Sequence, residues 1–129
     1  MVTDRNDLGW VRPRLVDWLR LLASDHPTQM RFWDKVGHPD EMALIFNDLF
    51  RLCPQLVELH VMTRSEITSL SRIDEEFHKM GGPVHAELWT LDAIRQHESW
   101  STIRRLAREA LYAFGSEPAD PVLDWVRVV

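Results

Sequence analysis

Two pairs of acid–base residues recur with a spacing of two, Glu58 with His60 and His85 with Glu87. On a β-strand, residues two apart share a face. Strands over 56–62 and 84–90 lying side by side, about 4.8 Å apart, would bring two imidazoles and two carboxylates together. Such a set suits a divalent cation, or general acid–base work by histidine near neutrality. Solvent-facing polar residues on an open sheet account for the same four side chains. No metal or cofactor is expected; were a metal bound, Glu58, His60, His85 and Glu87 are the ligands the spacing offers.

A second set comes from the edge at which ligands bind in parallel α/β folds, the carboxyl ends of the strands. The residues expected there are Asp34, His38 and Asp40, then Thr63, Arg64 and Ser65, then Asp92. Thr63-Arg64-Ser65 opens a helix, where free N–H groups can hold a phosphate or carboxylate; plain helix capping explains the same residues. Motifs that would assign an enzyme class are incomplete or missing. His85-Ala86-Glu87 matches the His-x-Glu core of the zinc nucleoside deaminases, but no cysteine follows Cys53. Glu75-x-x-His78 is half of a di-iron bundle motif and has no second half. Cys53 to Val61 is similar to the strand-bearing part of a leucine-rich repeat over one unit only. No Walker A, Gly-x-Gly-x-x-Gly, Gly-x-Ser-x-Gly or His-Glu-x-x-His segment occurs.

A third set concerns partners. The chain has six Trp. Trp18 and Trp100 fall on apolar helical stripes. Trp33 and Trp89 fall on the polar side of their expected strands, with Arg31 nearby. Trp and Arg on a half-open surface are the residue types of interface hot spots; a second layer of core packing is the alternative. Arg104, Arg105 and Arg108 form a local basic cluster, read as a solvated helix face with a phosphate site as the alternative.

The elements that must position these groups alternate along the chain. Leu15, Trp18, Leu19 and Leu22 predict a helix over 12–24, with Pro13 in its first turn. Asp25-His26-Pro27 breaks it, and Met30 and Phe32 alternate with polar neighbours as in a short strand. A second helix carries Met42, Ile45, Phe46, Leu49, Phe50 and Cys53, and Pro54 is expected to stop it. Val57, Leu59 and Val61 alternate with Glu58 and His60, predicting a strand over 56–62. Thr63 and Glu66 have capping-box spacing for a helix with Ile67, Leu70, Ile73, Phe77 and Met80, ended by Gly81-Gly82. Val84, Ala86 and Leu88 predict a third strand over 84–90, with a helix as its rival. Trp100, Ile103, Leu106, Ala107, Ala110, Leu111 and Phe114 predict a last helix. Val122 to Val129 reads as a strand or a short helix capped by Asp120-Pro121.

The order αβαβαβαβ, with strands starting about 27 to 29 residues apart, implies right-handed crossovers and a parallel sheet. Strict alternation in the strands implies one open face, since strands covered on both sides are apolar throughout. The expected fold is a two-layer or incompletely covered α/β sandwich, with a mostly parallel sheet of about four strands. The alternative is an all-α bundle. Phe46, Leu49, Leu59, Val61, Leu70, Phe77, Leu106 and Leu111 are the expected core.

Length and charge bound the function. A chain of 129 residues is expected to form one domain over 1–129. A single cysteine excludes an internal disulfide and cysteine-pair zinc sites. A net charge of −5 argues against a nucleic-acid partner, and no apolar run reaches membrane-spanning length. A polar start without a signal-peptide core, together with the lone thiol, suggests the cytoplasm. The leading expectation is a small soluble non-enzymatic protein-binding module of immunity, antitoxin or adaptor type. It would dock another protein, or a second copy of itself, through the half-open sheet face carrying Trp33 and Trp89. The alternative is a small metal-binding protein or enzyme using the Glu58, His60, His85 and Glu87 cluster.

Overall fold

The computed structural model describes residues 8–36 and 39–126, without the side chains of 33–36. Those residues form helices and turns; no strand occurs among them. The α/β sandwich expected from alternation is therefore overturned in favour of the all-helical alternative.

Helix α1 (Val11–Ala23) buries Leu15, Trp18, Leu19 and Leu22, the stripe read from the sequence. Asp25 ends the break after it, accepting a hydrogen bond from the Thr28 N–H at 3.1 Å. The short strand expected around Met30 and Phe32 is instead part of helix α2 (His26–Val36). Pro27 sits in its first turn, where a missing N–H costs nothing, and Gln29 and Phe32, three apart, are buried. Helix α3 (Glu41–Phe50) buries Met42, Phe46 and Leu49. Pro54 then begins a helix instead of ending one. It lies in the first turn of α4 (Cys53–Glu58), whose buried residues Cys53 and Leu56 are again three apart.

The segment expected as the clearest strand is thus a short helix and its exit turn. The Val61 N–H donates to the Leu56 carbonyl at 2.9 Å and the His60 N–H to the Val57 carbonyl at 3.1 Å. These are the two bonds of a Schellman cap. His60 holds its left-handed position at φ 59°, where glycine is the usual residue. Three residues later Thr63 and Glu66 form the predicted capping box for α5 (Arg64–Lys79), which buries Leu70, Ile73 and Phe77.

Gly82, at φ 90°, turns the chain out of α5. The third expected strand is replaced by two 3₁₀ turns over Pro83–Leu88 that meet at a kink at His85. Val84 and Leu88 do not share a face: Val84 is 79% exposed and Leu88 6%. Thr90 caps a helix absent from the sequence-based expectation, α6 (Leu91–Gln96). His97 caps the last helix, α7 (Glu98–Ala113), through its Nδ1. Residues 116–126 carry neither helix nor strand, and 127–129 lie outside the described residues.

Helix α7 is the spine. It packs along α1 on one side and α5 on the other, while α3 bridges α1 and α5. Phe46, Leu49, Leu70, Phe77 and Leu111 are buried as expected; Leu59, Val61 and Leu106 are only half-buried, packed at the core's margin. Indole N–H groups tie the layers together, each finding a carbonyl, as buried polar groups must. Trp18 donates to Met42 at 3.0 Å, Trp89 to Met80 at 2.8 Å and Trp100 to Leu88 at 2.7 Å.

One ion pair joins α1 to the start of α5. Arg12 donates to both carboxylate oxygens of Glu66, at 3.0 and 2.6 Å. Its guanidinium also lies 4.8 Å from the centre of the Phe114 ring. Burial pushes the Glu66 carboxyl up, but the Arg12 hydrogen bond and the Thr63 N–H outweigh it and hold the group below the usual carboxylate range.

Candidate functional site

The His/Glu cluster does not assemble. Glu58 and His60 lie at the end of α4, before α5, and His85 and Glu87 lie after it. The intervening helix of 16 residues rises about 24 Å. The pairing that would have joined them needed a sheet, and the backbone between is helical. Among the described residues no group of three or more His, Cys, Asp or Glu side chains could hold a metal.

The second set scatters as well. Glu58, His60, Thr63 and Arg64 border a cavity of about 500 Å³ at the α4–α5 turn. Thr63 is spent on the helix cap, and the Ser65 hydroxyl lies 3.2 Å from that of Thr63. Asp92 is exposed in the first turn of α6. Asp34 lies on α2 rather than at a sheet edge. His38 is outside the described residues, as are the side chains of Asp34 and Trp33. Arg31 is exposed on α2, donating to the Thr28 hydroxyl at 3.3 Å.

Trp89 and Asp40 do meet, at a groove between α3 and the end of α5. Two cavities of about 430 and 310 Å³ both reach Gly81. Their floor is aromatic. Phe46 lies 5.8 Å from Phe77, and Phe77 lies 6.2 Å from Trp89, centre to centre. Trp100 backs the stack at 5.6 Å from Trp89. Local sequence explains the opening. Gly81 and Gly82 carry no side chain to fill the space beside Trp89. The Trp89 indole is anchored on the Met80 carbonyl at the end of α5 and packs half-buried against the core beside the groove.

Leu44 stands on the α3 wall and is 49% exposed. Asp40 and Asp74 border opposite parts of the groove. His78 approaches the Asp74 carboxylate at 3.4 Å, one turn further along α5. The lining offers aromatic and aliphatic surface with a polar margin, the composition of a binding groove. The free thiol of Cys53 is buried, and burial pushes it up to about 12.

Sequence reasoning missed Leu44, Asp74 and the two glycines as parts of one surface. Trp89 was visible as a contact residue by type alone; its place in an aromatic stack was not. The readable signals were the Gly81-Gly82 helix end and Trp89 taken singly; Phe46 and Phe77 join them only through packing. No helix among the described residues is long and apolar enough to cross a membrane. The chain matches no family model, no curated protein and no solved structure.

Proposed function

We propose that the chain is a non-enzymatic protein-binding module whose docking surface is the groove between α3 and α5. This replaces the sheet face expected from the sequence. The observation that carries the reading is the pair of cavities that share Gly81, one bordered by half-buried Trp89 and the other by exposed Leu44, over the buried rings of Phe46 and Phe77. The occupant is a segment of another protein with one bulky apolar anchor and basic flanks. The anchor fills the space above the rings, and burying such a side chain contributes about 1.5–3 kcal/mol. The basic flanks complement Asp40 and Asp74 in a chain of net charge −5, which speeds encounter and selects the partner more than it adds affinity.

Fluorescence anisotropy with two labelled peptides tests this. Both carry a central leucine or phenylalanine; one has lysine flanks and the other glutamate flanks. The lysine peptide binds saturably at micromolar concentration, and the glutamate peptide at least tenfold more weakly. Leu44→Asp, at an exposed site that leaves the fold intact by circular dichroism, removes the binding. Equal binding of both peptides, or unchanged affinity in Leu44→Asp, overturns the groove as the docking surface.

A further inference from the structure

We propose that the cleft beneath the C-terminal segment, on α1, α2 and α7, binds a small ligand bearing a phosphate monoester. The segment 116–126 crosses these helices as a roof. The Arg20 Nε donates to the Glu117 carbonyl at 3.2 Å. Further along, the Trp125 ring rests 5.8 Å from Trp18, with the Arg14 guanidinium 5.4 Å over Trp125. Under this roof lie two cavities of about 340 and 380 Å³, both bordered by Thr28 and Asp120. That size suits a small molecule rather than a protein segment.

Three helices each bring a guanidinium to the cleft. Arg20 of α1 and Arg108 of α7 border one cavity, and Arg31 of α2 borders the other. Each is oriented by a hydrogen bond that leaves further donors on its fork. Arg20 uses the Glu117 carbonyl, Arg108 the Ala23 carbonyl at 3.3 Å, and Arg31 the Thr28 hydroxyl. Behind them Arg104 is half-buried against the Gln29 side-chain oxygen at 3.3 Å and the Ile94 carbonyl. The basic cluster read from the sequence thus divides. Arg105 pairs with Glu109 at 3.1 Å, Arg108 borders the cleft, and Arg104 lies behind it on Gln29 and Ile94.

The negative charge nearby balances these cations only in part, with Asp25 and Asp120 set against Arg20, Arg31 and Arg108, and Arg104 behind them. The Asp25 carboxylate borders the cavity of Arg20 and Arg108 and caps α2 through the Thr28 N–H. Asp120 borders both cavities, yet makes no ion pair with an arginine among the described residues. A local surplus of guanidinium in an acidic chain is the arrangement that receives a compact dianion. Forks arriving from different helices match the several oxygens of a phosphate better than the single plane of a carboxylate. The roof covers the rest of the ligand.

Titration calorimetry of the full chain with inorganic phosphate and with glycerol phosphate tests the proposal, at ionic strength matched with sodium chloride. Glycerol phosphate binds saturably, at least as tightly as inorganic phosphate. Arg108→Gln weakens it at least tenfold. Arg31→Gln, at an exposed site with little bearing on folding, weakens it several-fold. Asp120→Asn tightens it several-fold, because a like charge leaves the cleft. Absence of heat with both ligands overturns the site, and binding of inorganic phosphate alone overturns the monoester. Weaker binding in Asp120→Asn would show that the carboxylate serves the ligand rather than repels it, and overturns the assignment of an anion.

Discussion

Arg12 and Arg104 both draw a guanidinium partly out of water to join neighbouring helices, and they meet opposite company there. Arg12 faces the two oxygens of Glu66, whose hydrogen bond raises its pKa. Arg104 faces neutral carbonyl oxygens, on Gln29 and Ile94. Burial lowers its pKa, and the charge of Arg108 lowers it further, offset in part by Asp25. The first corner is electrically closed and works as a clamp. The second keeps its positive field, which acts on whatever enters the cleft in front of it. Gln29 makes the second corner workable. Its NH₂ donates to the Leu21 and Leu22 carbonyls, at 3.2 and 3.1 Å, at the end of α1, while its oxygen receives Arg104. A carboxylate there could serve the arginine but not the two carbonyls.

The largest expected effect breaks the clamp. Arg12→Ala leaves a buried carboxylate with only its capping partner, and should cost about 3 kcal/mol in urea unfolding at pH 7. The same truncation at Arg104 removes only neutral partners and should cost about 1 kcal/mol. Equal losses would mean that the two corners differ in appearance alone.

Acid should undo the clamp as mutation does. Glu66 has a folded-state pKa held below its unfolded value. Its contribution is therefore complete above the unfolded carboxyl range, about pH 4–5, and is lost as pH falls through the folded value. The stability gap between wild type and Glu66→Gln should stay level from pH 8 to about 5 and shrink below about pH 4. A gap independent of pH down to about 3 would deny the ion pair its role.

A smaller effect sharpens the comparison from the other side. Gln29→Glu gives Arg104 the carboxylate that Arg12 enjoys, but takes both donors from the end of α1. The balance should be a loss of about 0.5–1 kcal/mol, measured by thermal or urea unfolding at pH 7. A variant more stable than wild type would show that the cation, and not the helix end, dominates this corner.

The corners also show what the sequence could and could not reveal. The Thr63–Glu66 cap was legible, because its spacing is local. The Arg12 partner was not, since it lies 54 residues away at Glu66. Most helices of ten residues or more were legible for the same reason: α1, α3, α5 and α7 repeat their apolar residues through several turns. The shorter elements, and α2, were misread. Alternation over five to seven residues in 56–62 and 84–90 does not distinguish a strand from one helical turn and its exit. Pro27 and Pro54 were read as breakers, whereas each sits in the first turn of the next helix; Pro83 likewise opens the 3₁₀ turns. Once the strands were misplaced, the Glu58, His60, His85 and Glu87 cluster depended on them and failed with them. Of the site now proposed, Trp89 was visible as a residue type, and the groove around it depended on packing between α3 and α5 that no local pattern encodes.

The position of α7 has a consequence for how the protein is made. Synthesis runs from α1 toward α7, yet α7 is the surface that both α1 and α5 need. About 90 residues separate the end of α1 from the end of α7. At roughly 5–20 residues per second, the apolar faces of α1 wait on the order of ten seconds for their cover. During that interval the nascent chain offers Leu15, Leu19 and Leu22 to any holdase near the ribosome exit.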